Sequence, residues 1–200
     1  MDKGMLAVIS GPSGSGKGTI VKGLLSGGDL VLSVSVTTRK KREGEVEGRD
    51  YFFKTEEEFG DLLRNNMLLE STVYAGYHYG TPLDYAESQI GLGKTVILEL
   101  DVPGALQVKE KYPSSVLAFI MPPTLRELER RLRKRRTETP EMIDRRLAIA
   151  LEEIKHTDAY DYLIINDELS RAVSDFRSII SAERMRPFRH TEIIKNFNNV

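Results

Sequence analysis

Nine residues near the start of the chain, Gly11-Pro12-Ser13-Gly14-Ser15-Gly16-Lys17-Gly18-Thr19, combine four glycines with one lysine directly after the apolar run 5–9. Backbone without Cβ atoms can turn so that successive N–H groups converge on one point, which makes an anion nest. A helix starting at Lys17 adds its partial positive charge there, and the lysine can reach the outer phosphates of a nucleotide. The spacing Gly11-x4-Gly16-Lys17, with a strand before it and a helix after it, is the P-loop pattern. Gly18 departs from it. That position usually carries the Ser or Thr hydroxyl that ligates Mg²⁺, and Thr19 comes one residue late.

A second signal is Thr95-Val-Ile-Leu-Glu-Leu-Asp101, an apolar strand ending in an acid. It resembles a Walker-B carboxylate at the carboxyl edge of a sheet, placed to orient Mg²⁺ and its waters. Many strands also end in Asp as a turn former. Thr19 and Asp101 are the candidate metal residues, partly through water.

A P-loop grips a phosphate donor, so a different segment must read the second substrate. The segments that follow are Ser33-Val-Ser-Val-Thr-Thr-Arg39, then Arg42-x-Gly44-Glu45-x-x-Gly48-x-Asp50-Tyr51-x-Phe53, then Tyr79-Gly80-Thr81. With Leu98–Asp101, Arg135-Arg136-Thr137-Glu138 and Ile164–Asp167, they stand in this order behind the glycine loop. The set resembles guanylate kinase, from Gly11 to Asp167 and so over nearly the whole chain. The resemblance implies that ATP and GMP (or dGMP) are the substrates, ADP and GDP the products, and Mg²⁺ the metal that accompanies ATP. It implies that residues 11–19 (Gly11, Pro12, Ser13, Gly14, Ser15, Gly16, Lys17, Gly18, Thr19) bind ATP and that Arg39, Arg42, Tyr51 and Tyr79 hold the GMP phosphate. The chemistry suits the task, because guanidinium forks pair bidentately with phosphate oxygens and phenols donate to them. A solvated basic turn is the plainer alternative for 39–42.

Guanine presents two adjacent donors, N1–H and N2–H₂, and one acceptor, O6. A carboxylate matches the donors and small hydroxyls match the acceptor, roles that Glu70, Ser35 and Thr81 fit; the resemblance also brings Asp101 to the base. Arg135 and Arg146 resemble lid arginines that close over the triphosphate and stabilise charge on the moving phosphoryl. With Lys17 and Arg39 they form the expected catalytic set. Arg136 replaces a glycine that the family commonly has beside Arg135. The resemblance places Asn166 at the adenine, whereas Asp167 reads as the N-cap of the last helix. His78 tempts a general-base reading, but an acceptor that is already anionic needs none; it reads as a solvent-facing spacer. Two other classes stay open: a guanylate-kinase-like domain of the scaffolding kind that binds protein and lacks catalysis, and a kinase for another nucleoside monophosphate such as AMP or dTMP.

These residues need a frame. Short apolar runs at 5–10, 31–36, 95–100, 116–121 and 162–166 read as buried strands, and amphipathic patterns at 17–25, 83–92, 103–111, 125–134, 142–154 and 169–180 read as helices. Their alternation predicts an α/β class with right-handed crossovers, a P-loop three-layer α/β/α fold around a parallel central sheet. Residues 37–81, polar and tyrosine-rich with short β-like pieces, read as an inserted small α+β lobe for the monophosphate. The run 126–136, with seven basic residues and two glutamates, reads as a charged arm, mostly a solvated face, within a short helical lid at about 126–147. The expected plan is one domain at 1–187, with its core at 1–36 and 82–187, followed by a loosely packed tail at 188–200.

Composition bounds the rest. The chain of 200 residues is 40% hydrophobic and 30% charged, with a formal net charge of −1. Such a balance offers no general attraction to nucleic acid or anionic lipid. Cysteine is absent, which excludes disulfides and thiolate metal sites and is compatible with a reducing cytoplasm. No apolar run approaches the ~20 residues of a membrane span, and the first residues do not read as a signal peptide. A cytoplasmic monomer or small homo-oligomer is expected.

Overall fold

The computed structural model describes residues 4–26, 28–134 and 139–198. In chain order its elements are β1 (Met5–Ser10), α1 (Lys17–Leu25), β2 (Leu30–Leu32), β3 (Val36–Thr37), β4 (Phe52–Phe53), α2 (Glu56–Arg64), β5 (Leu68–Tyr74) and β6 (Tyr77–Pro82). They continue as α3 (Leu83–Gly91), β7 (Thr95–Glu99), α4 (Val102–Lys111), β8 (Val116–Met121), α5 (Leu125–Lys134), α6 (Pro140–Ile154), β9 (Tyr162–Ile165), α7 (Leu169–Arg184) and α8 (Thr191–Asn198).

The central sheet has the order β2-β7-β1-β8-β9, and every pairing in it is parallel. Every residue of β1 is buried, because helices cover both faces of a parallel sheet and leave no polar side. Alternation sorts the side chains. Met5, Ala7 and Ile9 meet Ile20 and Leu24 of α1 and Phe176 and Ile180 of α7, while Leu6 and Val8 meet Ala86 of α3 and Ala105 and Val108 of α4. Each large side chain buried this way contributes roughly 1.5–3 kcal/mol. The chain leaves β1 toward β2 on one side and leaves β7 toward β8 on the other. The carboxyl end of β1 is therefore the switch point where such sheets bind ligands.

The second sheet, β4-β3-β6-β5, is mixed: β3 runs parallel to β4 and antiparallel to β6. It corrects one sequence expectation. Residues 31–36 are not one strand: Leu30–Leu32 pair with β7, and Val36 pairs with Gly80. Ser33 donates its backbone N–H to Ile97 at 2.9 Å and ends the first pairing, so the segment 33–35 crosses between sheets. The inserted segment also holds a helix, α2, the helical part of the expected α+β lobe. Its capping box was present in the sequence as Thr55-Glu-Glu-Glu58, and both reciprocal bonds form.

Two further expectations change near the C-terminus. Asp167 does not cap α7; its carboxylate accepts the Glu168 N–H at 2.7 Å, and α7 starts after Glu168 without a side-chain cap. Part of the segment expected as a loose tail is regular, with a 3₁₀ turn at Pro187–His190 leading into α8, although Ile193, Ile194 and Phe197 stay exposed. Among the described residues no helix is long and apolar enough to cross a membrane.

Candidate functional site

The glycine loop joins the central strand β1 to α1, and its shape depends on what surrounds it. Gly11 has φ +131°, and a Cβ there would lie 2.1 Å from the Ile120 carbonyl oxygen. Gly16 has φ +97°, and its Cβ would lie 2.4 Å from Asn166 Nδ2. Neither position admits a side chain, for steric as well as torsional reasons. Lys17 folds back over the loop and donates from Nζ to the carbonyls of Gly11 at 2.5 Å and Pro12 at 3.1 Å. The Ser15 hydroxyl is buried with no partner among the described residues.

Asn166 follows β9 and is buried. Its Nδ2 donates to the Ser15 carbonyl at 2.7 Å, so the amide expected at the adenine also holds the loop. Arg131 of α5 joins it, donating to the Ser15 carbonyl at 3.3 Å and to the Asn166 carbonyl at 2.8 Å. Glu127 accepts from both Arg130 and Arg131 at 2.7 Å, and their guanidinium groups pull its pKa down to about 2. Sequence reading took this arm as a solvated face and missed Arg131. The signal was its place between the apolar Leu128 and Leu132, which face Ile143 and Ala150 of α6. From α6, Arg146 donates to the Ser13 hydroxyl at 3.0 Å. Arg135 and Arg136 lie outside the described residues.

Thr19 is exposed in the first turn of α1. Asp101 caps α4, accepting the Gly104 N–H at 2.9 Å. The carboxylate that faces the start of α1 belongs to Glu99, whose Oε1 lies 3.4 Å from where a Cβ of Gly18 would stand. Gly18, the departure in the loop, and Glu99, the other acid of Leu98-Glu-Leu-Asp101, meet at this point. Among the described residues no three acidic or histidine side chains gather into a cage. The donor set therefore fits a hard divalent ion held largely by phosphates and water, with carboxylates at its edge.

Across the sheet's rim lies a cavity of about 370 Å³, whose lining includes Ser35, Tyr51, Glu70, Tyr79, Glu99 and Asp101. A smaller one of about 150 Å³ adjoins it, sharing Ser35, Tyr51 and Glu99 and adding Thr81 and Ser33. Glu70 is 3% exposed and accepts from the Thr81 hydroxyl at 2.7 Å. Burial raises its pKa, Thr81 lowers it, the Asp101 charge raises it and Lys111 lowers it. Glu70 and Asp101 converge on Gly104, where a Cβ would stand 3.4 Å from Glu70 Oε2 and 3.0 Å from Asp101 Oδ1. Two acid groups thus line one cavity, a suitable partner for a ligand edge rich in N–H donors.

Arg39 follows β3 and packs on Tyr51, which lines the same cavity. It is 8% exposed, and its Cζ sits 5.3 Å from the Tyr51 ring centroid and 5.9 Å from that of Phe53. The Tyr51 and Tyr79 rings meet edge to face at 6.0 Å. Arg42 is exposed on the following loop, and its backbone N–H is bound by Glu45. His78 stacks on Phe59 at 5.1 Å and approaches Glu56 at 3.4 Å, apart from the cavity, consistent with the spacer reading.

The layout is one anion nest and one acid-lined cavity with a buried arginine, on either side of a parallel sheet's carboxyl rim. Family comparison bears on this geometry directly. The profile of the guanylate kinase family matches residues 3–183. The chain belongs to the guanylate kinase family. A guanylate kinase of Bacillus anthracis is 48% identical over 195 residues, spanning 96% of this chain and 95% of the relative. One from Bacillus subtilis is 46% identical over 187 residues, 92% of each. Among solved structures, a guanylate kinase from Anaplasma phagocytophilum superposes with a TM-score of 0.73 at 35% identity, covering 94% of this chain and 90% of its own. The family's activity is ATP-dependent phosphorylation of GMP to GDP, so the chain is a phosphotransferase. The α/β class and the function read from the sequence both stand.

Proposed function

We propose the following division of labour for the transfer of the γ-phosphoryl of ATP to GMP. The amides of the loop 11–16 and Lys17 hold the donor phosphates, and Lys17 exchanges its loop carbonyls for phosphate oxygens when ATP enters. Arg39, Tyr51 and Tyr79 hold the acceptor phosphate, joined by Arg42 from the exposed loop. Glu70 and Asp101 accept from guanine N1–H and N2–H₂, Ser35 serves O6, and Thr81, whose hydroxyl donates to Glu70, borders the base by orienting that carboxylate. Arg146, and Arg135 beyond the described residues, supply positive charge from the α5–α6 lid, and Asn166 and Arg131 keep the loop in shape. Residues 37–81 act as the acceptor lobe.

Glu99 and Asp101 would hold Mg²⁺ beside the loop, partly through water. When bound it neutralises charge on the donor phosphates. The new bond joins a GMP phosphate oxygen to the γ-phosphorus, and the bond to the ADP oxygen breaks. The acceptor oxygen is already anionic, so no side chain has to take a proton. Positioning and charge neutralisation carry the catalysis.

The observation that carries this reading is the buried Glu70 beside Asp101, in a cavity that opens at the same rim as the glycine loop. The test is an ADP-release assay with ATP, Mg²⁺ and a panel of GMP, AMP, dTMP and UMP. GMP is expected to lead the panel strongly, and Lys17→Ala to abolish turnover. Equal rates on all four acceptors would overturn the base assignment. No turnover on any would favour a binding module.

A further inference from the structure

We propose that Glu45 is a positioning residue for the acceptor phosphate, fixing Arg39 so that one edge of its guanidinium faces the phosphate of GMP. The inference rests on the assignment of Arg39 to that phosphate. Glu45 grips Arg39 with both oxygens: Nη2 donates to Oε1 at 2.7 Å and Nη1 to Oε2 at 3.1 Å. The Lys40 carbonyl takes a further bond from Nη1 at 2.8 Å. Together these bonds occupy both hydrogens of Nη1 and one of Nη2. The Nε–H and the other Nη2 hydrogen lie along the remaining edge of the plane, and Tyr79, itself assigned to the acceptor phosphate, is a further hydrogen-bond partner of Arg39. Two parallel donors on one edge are what a phosphate needs for bidentate pairing.

Glu45 is itself fixed. Its Oε2 accepts the backbone N–H of Arg42 at 2.8 Å, so the carboxylate is anchored to the turn that carries the other phosphate arginine. The Arg39 and Glu45 side chains are 9% and 19% exposed, so the pair is largely shielded from solvent. The Tyr51 and Phe53 rings confine the guanidinium further. Pairing with Glu45 raises the pKa of Arg39, and pairing with Arg39 lowers that of Glu45, so both stay charged at neutral pH. Without Glu45 the arginine would keep its charge and lose its orientation. A rigid fork is worth more than a mobile charge where geometry selects the ligand.

The experiment compares the full-length chain, Glu45→Gln, Glu45→Asp, Arg39→Met and the Arg39→Met/Glu45→Gln double variant. It measures KM for GMP, KM for ATP and the inhibition constant of guanosine, which lacks the phosphate. Glu45→Gln is expected to raise KM for GMP at least tenfold while the guanosine constant and KM for ATP stay within twofold. Glu45→Asp is expected to recover part of the loss, and Glu45→Gln to add less than twofold on top of Arg39→Met. Equal weakening of guanosine and GMP would overturn the proposal in favour of a structural role. Unchanged or tighter GMP binding in Glu45→Gln, with Arg39→Met still impaired, would overturn the proposal alone. An unimpaired Arg39→Met would remove the assignment of Arg39 and the proposal with it.

Discussion

Glu70→Gln separates the energetics of recognition from those of folding. The substitution preserves volume and removes the charge from a side chain that is 3% exposed and bonded to Thr81 at 2.7 Å. Guanine would lose one charge-assisted hydrogen bond, and the new amide would present N–H where an acceptor is required. A hydrogen bond to a charged group is worth about 1.5–3 kcal/mol, and an unmatched buried donor costs a similar amount. The loss on GMP is thus at least about 3 kcal/mol, or roughly a hundredfold or more in kcat/KM. The assay is kcat/KM for GMP and for IMP, which lacks the N2 amino group. The GMP/IMP ratio should collapse in the variant, and an unchanged ratio would refute the role assigned to Glu70. Stability should move the other way. Burial raises the folded-state pKa of Glu70 above its ordinary value of 4.5. The folded state therefore favours the protonated form, and the stability this gives is present below 4.5 and lost as pH rises through the folded pKa. The neutral Gln escapes that loss. Glu70→Gln should thus have a higher Tm than the parent at pH 8, with the gap closing below pH 4.5. A variant less stable at every pH would sink this account.

Three further outcomes follow from the loop and its supports. Gly16→Ala meets Asn166 Nδ2 at 2.4 Å in a backbone with φ +97°; it should lower stability by about 1–3 kcal/mol, read by urea denaturation, and raise KM for ATP more than KM for GMP. Asn166→Ala leaves the Ser15 carbonyl with a weakened set of donors, and should cost about 1–3 kcal/mol with the same bias toward ATP. Glu127 should titrate near 2 when its side-chain carboxyl is followed by NMR, since Arg130 and Arg131 hold it there. Its stabilising contribution is present above the ordinary value of 4.5 and is lost as pH falls toward 2, so Arg131 should stay anchored through mild acid.

The sequence alone determined the α/β class, the P-loop spacing and its lysine, and the residues proposed for the acceptor site. These are local matters: glycine spacing, apolar periodicity and residue chemistry are written in consecutive positions. It also carried the guanylate kinase resemblance, whose motifs survive as short ordered strings. Several decisions belonged to the tertiary structure. Glu99 rather than Asp101 faces Gly18, because which of two acids at a strand end turns toward a neighbouring strand's loop depends on how β7 lies beside β1. Asn166 and Arg131 became supports of the loop because β9 and α5 bring them to Ser15 across more than a hundred residues. The crossing at Ser33–Ser35, which places Ser35 in the cavity beside Glu70, is invisible to periodicity, since an alternating run can pair with either sheet. Sequence pattern sets what each segment is able to bury or bind; only the packing of distant segments decides which groups finally meet, because those contacts depend on directions that no local spacing encodes.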